Sequence, residues 1–211
     1  KYSQSENEKI EIDSQTRNFI SSKTVWCASS THNLEERFVG LVHNKLKKKF
    51  KNLLTVIIPR HIDRIEKIKE QLFNIGLKVH THEPKTKIHQ DTDIYLVNSF
   101  GKTKSFYSMI KNIFLGGSLI KHGGQNPLEA VRYNCNIIHG PNVSNFSEIY
   151  RFLHKQKISN RVVNLSQITN VLQKLFNKKK SQKGINNKIN KIGQKILKKN
   201  IDEINLILSK V

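Results

Sequence analysis

Several things are scarce in this 211-residue chain, and each scarcity excludes something. Only two cysteines are present, Cys27 and Cys135, far apart in sequence. That rules out a disulfide scaffold and a zinc site built from four thiolates, and a reducing compartment is the simple reading. No apolar run approaches the roughly 18 residues needed to cross a bilayer, and residues 1–20 hold no stretch of signal-peptide type. The first residue is Lys1 rather than Met, so the chain reads as a fragment or a processed piece. Neither G-x-x-x-x-G-K-[ST] nor G-x-G-x-x-G occurs, which removes the P-loop and the dehydrogenase fingerprint.

Negative charge is scarce as well: 16 Asp and Glu stand against 37 Lys and Arg, for a formal charge of +21. The excess is uneven, +8 over residues 1–150 (22 basic, 14 acidic) and +13 over residues 151–211 (15 basic, 2 acidic). Arginine, the residue whose planar fork reads base edges, accounts for only 7 of the cations. Lys, Asn and Ile together make up 78 of the 211 residues, the mark of a compositional bias over the whole chain. Nucleic acid is therefore not the expected partner; an anionic membrane surface suits the C-terminal charge better.

What is present is a regular alternation of short apolar blocks. Strands are predicted at 25–28, 53–58, 78–81, 94–97, 113–115, 136–139 and 161–163, with helices over 34–49, 62–72, 103–110, 127–133 and 146–156. The result is an α/β fold, a doubly wound parallel sheet. Residues 1–22 read as a linker with one turn of helix at most, and residues 23–165 as the sheet domain. Residues 166–211 read as C-terminal helices packing on it, the last over 182–208 with an Ile stripe under a Lys-rich face.

In such sheets ligands bind beyond the carboxyl ends of the strands. The loops expected there are Ser29-Ser30-Thr31-His32, Pro59-Arg60-His61, Asn98 to Lys102, and Gly116-Gly117-Ser118 continuing to Glu129. Paired glycines let amides approach a phosphate, Arg60 offers a donor fork, and Glu129 can accept from ribose hydroxyls. The combination describes a nucleotide site, with a sugar donor. Each loop also has a plain structural explanation: Ser29–Thr31 as a helix cap, Gly116 and Gly117 as a turn, and Asn126 to Glu129 as a capping box. His32, His61 and His122 are loop candidates for positioning or proton transfer. The nine histidines lack metal-ligand spacing, although His80 and His82 stand two apart on an exposed-looking strand, and no metal is expected.

The ordered segments Ala28-Ser29-Ser30-Thr31-His32, Pro59-Arg60-His61, Gly116-Gly117-Ser118-Leu119, Gly123-Gly124-Gln125-Asn126-Pro127-Leu128-Glu129 and Gly140-Pro141-Asn142 with Asn145-Phe146 resemble the C-terminal half of 3-deoxy-D-manno-octulosonic acid (Kdo) transferases. The resemblance implies a GT-B glycosyltransferase of two Rossmann-like domains, of which this chain is the C-terminal donor-binding one. It implies transfer of Kdo from CMP-Kdo to a lipid A precursor at the cytoplasmic face of the bacterial inner membrane, without a cofactor. By motif, Pro59, Arg60 and His61 are implied to hold the nucleotide and its phosphate, with Phe100, Gly101, Lys102, Gly117 and Ser118 lining the site. Asn126, Pro127, Leu128 and Glu129 are implied to hold the ribose end, and Ser30, His32 and Asn145 to contact the donor sugar. The family's catalytic base is a Glu of the N-terminal domain, so no catalytic residue is expected in this chain. Two positions depart from the family: Phe100-Gly101-Lys102 replaces the usual Met-Gly-Glu, and Gln125 replaces the usual His. The alternatives are a GT-B domain using a UDP-sugar, and a basic non-enzymatic module for anionic lipid or nucleic acid.

Overall fold

A computed structural model describes residues 12–83 and 86–177. The strands are β1 (Thr24–Thr31), β2 (Leu53–Pro59), β3 (Val79–Thr81), β4 (Ile94–Leu96), β5 (Asn112–Leu115), β6 (Asn136–His139) and β7 (Ser159–Arg161). The helices are α1 (Ser14–Ser21), α2 (Glu35–Lys47), α3 (Ile65–Phe73), α4 (Thr103–Met109), α5 (Leu128–Arg132), α6 (Ser147–Lys155) and α7 (Leu165–Phe176). All neighbouring strands pair in parallel, in the order β3-β4-β2-β1-β5-β6-β7.

Parallel pairing buries a sheet on both faces, and the central strands show it: every residue of β2, β4 and β5 is buried. Alternate residues feed two cores. Trp26 and Ala28 of β1 join Val39, Val42, Ile68, Leu72, Ile168 and Leu172, so α2, α3 and α7 cover one face. Cys27 joins Phe19, Ile20, Phe106, Val131, Tyr150 and Leu153, so α1, α4, α5 and α6 cover the other. Both cysteines are free and buried.

Some expectations need correction. Part of the segment read as linker is the two-turn helix α1, capped by the Asp13 carboxylate, which accepts from Thr16 N at 2.9 Å. Its Phe19 and Ile20 are buried because they extend the sheet's apolar face. β1 continues through Ser29–Thr31, read as a loop or a helix cap; α2 instead starts after Leu34 in left-handed conformation with no side-chain cap. β7 lies two residues before its predicted position. His82 is buried, its Nδ1 hydrogen-bonded with Tyr95 Oη at 2.5 Å, rather than sitting on an exposed strand. The helix predicted over 182–208 lies outside the described residues.

Candidate functional site

The chain leaves β1 towards β2 on one side and β5 on the other, so the topological switch lies between β1 and β5. Loops from both halves converge there. Gly116 N donates to Ser29 O at 2.8 Å and Arg60 N to Thr31 O at 2.9 Å, which ties the ends of β5 and β2 to the end of β1. The approach at Gly116 is close enough that a Cβ there would overlap the Ser30 carbonyl. Ser30 itself is left-handed, with φ 55°, at a break in the β1–β2 register. Such conformations in a non-glycine residue collect at functional sites.

A buried carboxylate organises this crevice. Glu35, 1% exposed, accepts from the amides of His32 (3.0 Å), Gly117 (2.7 Å), Ser118 (3.1 Å) and Leu119 (3.0 Å). Burial pushes its carboxyl above the ordinary range, against the four amides that pull it down. The Gly117 amide, read from sequence as able to approach a ligand phosphate, and the Ser118 amide beside it are thus already engaged. The Ser118 hydroxyl is buried as well, donating to Leu115 O and accepting from Gly140 N, so this residue staples the β5 and β6 loops. Sequence reasoning passed over Glu35 because an acid in the first turn of a helix is ordinary. Its position after a strand at the switch is the signal that was available.

The remaining candidates stand around the rim. Pro59 is buried, while Arg60 and His61 are exposed above it. The segment after β4 presents Phe100, 67% exposed, then Gly101 and Lys102, directly before α4. Glu129 faces that helix: its carboxylate accepts from Thr103 Oγ1 at 3.3 Å, which brings the Phe100–Lys102 loop beside the Asn126–Glu129 segment. Asn126 Oδ1 accepts from Leu128 N at 3.0 Å, an Asx turn that starts α5, whereas Glu129 makes no return bond to the cap, so the capping box is only half realised. Asn145 is exposed and donates to His122 O at 3.3 Å.

Histidines cluster at the centre. The ring of His32, 8% exposed, lies 4.1 Å from that of His122 and 5.7 Å from that of His61. Gln125 Nε2 is 3.5 Å from His32 Nε2. Burial first, then the neighbouring His122, His61, Arg60 and Arg64, lowers His32 to about 4. Among the described residues no group of three or more His, Cys, Asp or Glu is placed to hold a metal ion, and no helix is long and apolar enough to cross a membrane. A separate cleft of about 610 Å³ lies between α1 and Lys87–Gln90.

A seven-stranded parallel sheet covered on both faces, with its polar crevice at the switch, has the architecture of the C-terminal, Rossmann-like domain of GT-B glycosyltransferases. No protein-family model matches the chain. Curated relatives do. The chain is 30% identical over 190 residues to the 3-deoxy-D-manno-octulosonic acid transferase of Haemophilus influenzae, a match covering 89% of this chain and 44% of that protein. It is 29% identical over 180 residues to the enzyme of the same description from Rickettsia typhi, covering 81% of this chain and 38% of the relative. Among solved structures, the C-terminal CMP-Kdo binding domain of WaaA from Acinetobacter baumannii superposes with TM-score 0.69 at 25% identity, covering 76% of this chain and 83% of that domain. The C-terminal domain of a glycosyl transferase group 1 family protein (LpcC) from Francisella tularensis shares the fold, with TM-score 0.51 at 14% identity, covering 80% and 84% respectively. Over most of its length, then, this chain is homologous to the C-terminal half of Kdo transferases. It spans less than half the length of these curated relatives.

Proposed function

We propose that this chain is the donor-binding half of a glycosyltransferase that moves Kdo from CMP-Kdo to a lipid A precursor in lipopolysaccharide biosynthesis. The observation that carries the reading is the Thr103–Glu129 hydrogen bond, which sets the Phe100–Lys102 loop and the Asn126–Glu129 segment side by side near a crevice rimmed by Arg60. Arg60 would hold the phosphate over Pro59, and Glu129 would accept from the ribose hydroxyls, while Phe100, Gly101 and Asn126 to Leu128 frame the nucleoside. Ser30, His32 and Asn145 would face the sugar. Lys102 stands where the family carries a carboxylate, so the contact made at that position is inverted in charge.

The acceptor and the catalytic base belong, in this reading, to an N-terminal domain outside this chain. The +13 carried by residues 151–211 fits a place against anionic lipid at the cytoplasmic face of the inner membrane. The test is calorimetric titration of the chain with CMP, followed by competition with UDP. Saturable CMP binding that UDP displaces poorly supports the proposal; preference for UDP would assign a different donor, and no nucleotide binding would overturn it.

A further inference from the structure

The histidine cluster forms a cup. His32 closes the floor, the exposed His61 and His122 form two walls, and the Gln125 amide closes a third side. Room for the rings depends on the backbone behind them: a Cβ at Gly117 would come within 3.0 Å of the His122 ring and 3.3 Å of the His32 ring. Next to the floor, the Thr31 hydroxyl is fully buried and has no hydrogen-bond partner. Buried hydroxyls of that kind usually have a partner in the working state.

The fixed charges beside His32 are both positive: Arg60 and Arg64, from the β2 loop and the α3 side. The imidazoles of His61, from the same side, and of His122, from the β5 loop, stand next to them. The two nearby carboxylates are engaged elsewhere. Glu35 accepts four backbone amides, and Glu36 forms a two-pronged pair with Arg64 at 3.0 and 3.1 Å. No ion pair among the described residues involves Arg60. Donors and cations therefore converge on a cup that holds no negative charge of its own, the arrangement that attracts an anion.

We propose that His32, His61 and His122, with the Gln125 amide and Arg60, form an anion subsite that receives an acidic group of the donor and takes up a proton as that group docks. The inference rests on the donor-binding reading above and assigns work to His122 and Gln125, beside His61, at its centre. Phosphate and sugar carboxylate share the chemistry the cup recognises. In the empty protein burial first, and after it the neighbouring cations, keep His32 neutral. An arriving anion offsets them, so an imidazole gains a proton from solvent and releases it when the group leaves.

The test is calorimetry on the 211-residue chain with three probes: CMP, which carries a phosphate; cytidine, which carries no acid; and free Kdo, which carries only a carboxylate. Titrations at about pH 6 and about pH 8, in buffers of different ionisation heat, count the protons taken up. The comparison protein is the double variant His61→Gln, His122→Gln, changed at two exposed positions, with its fold checked by thermal melting. It also controls for titration of the phosphate itself. Proton uptake and at least about a fivefold tightening at the lower pH, both lost in the variant, are expected for an acid the cup binds. If CMP responds in this way, the cup takes the phosphate; if only Kdo responds, it takes the carboxylate; cytidine responds in neither case. Equal affinities of wild type and variant for both acids, with CMP still bound, would overturn the subsite and leave the donor reading standing. Failure of the wild-type chain to bind CMP would overturn both.

Discussion

The Glu35 carboxylate lies 2.7 Å from the Gly117 amide, although the two residues are 82 positions apart. That contact bridges the switch of the sheet: Glu35 opens α2 after β1, and Gly117 follows β5. The loop after β5 is therefore shaped by the protein's own anion, and ligands meet a crevice whose floor is already set.

Removing that anion would leave four amides without an acceptor inside the protein. Glu35→Ala is expected to cost roughly 3 kcal/mol or more of stability, measured by urea unfolding, because buried charged hydrogen bonds are expensive to break from one side. Glu35→Gln keeps an acceptor oxygen and should lose less. Equal stability of all three proteins would show that the loop holds without its carboxylate.

At the rim the expectation is reversed. Arg60 is exposed and Glu129 half-buried, so Arg60→Ala and Glu129→Ala should leave the melting temperature nearly unchanged. Each should weaken CMP binding by about 10- to 100-fold, the range of one lost charged hydrogen bond or fork. Titration calorimetry reads both; undiminished affinity in either variant removes that residue from the site.

Acid should destabilise the fold in two stages. His32 and His139 both titrate near 4 in the folded chain, burial being the first cause in each. Unfolded histidine takes up its proton near pH 6.5, so the unfolded state binds more protons between about 6.5 and 4, and stability falls as pH drops through that window. A second loss belongs to Asp93. Burial pushes this carboxyl up, but hydrogen bonds from His43, Lys47 and the Lys78 amide prevail and hold it below the usual carboxylate range. Its contribution is complete above about pH 4 and is lost below that, as pH falls towards the folded value. Urea midpoints measured from pH 8 downwards should fall in both windows, and Asp93→Asn should flatten the lower one.

α1 offers a test of how far the packed domain extends. Ile20 is 1% exposed in the core beneath α1. Ile20→Ala should cost about 2–5 kcal/mol, as large-to-small core changes do. A cost near zero in chemical denaturation would return residues 14–21 to the status of a linker.

The alternation of apolar blocks made the parallel sheet legible, because strands buried on both faces are apolar at successive positions, as Leu53 to Ile58 are. Loop chemistry was legible for the same reason: Pro59-Arg60-His61 and Gly116-Gly117 interrupt apolar runs where a crossover must begin. α1 was not, since its apolar residues are few and its amphipathic face has meaning only against the sheet.

By itself the sequence determined the fold class, the order of the strands along the chain and the residue types present at each strand end, all of which follow from local pattern. Tertiary structure decided which of those groups remain available to a ligand. Glu35 takes the Gly117 and Ser118 amides, Thr103 reaches Glu129, and His61 and His122, from two other loops, converge within 6 Å of His32. No sequence spacing encodes these contacts, because each joins residues brought together only when the two halves of the sheet close around β1.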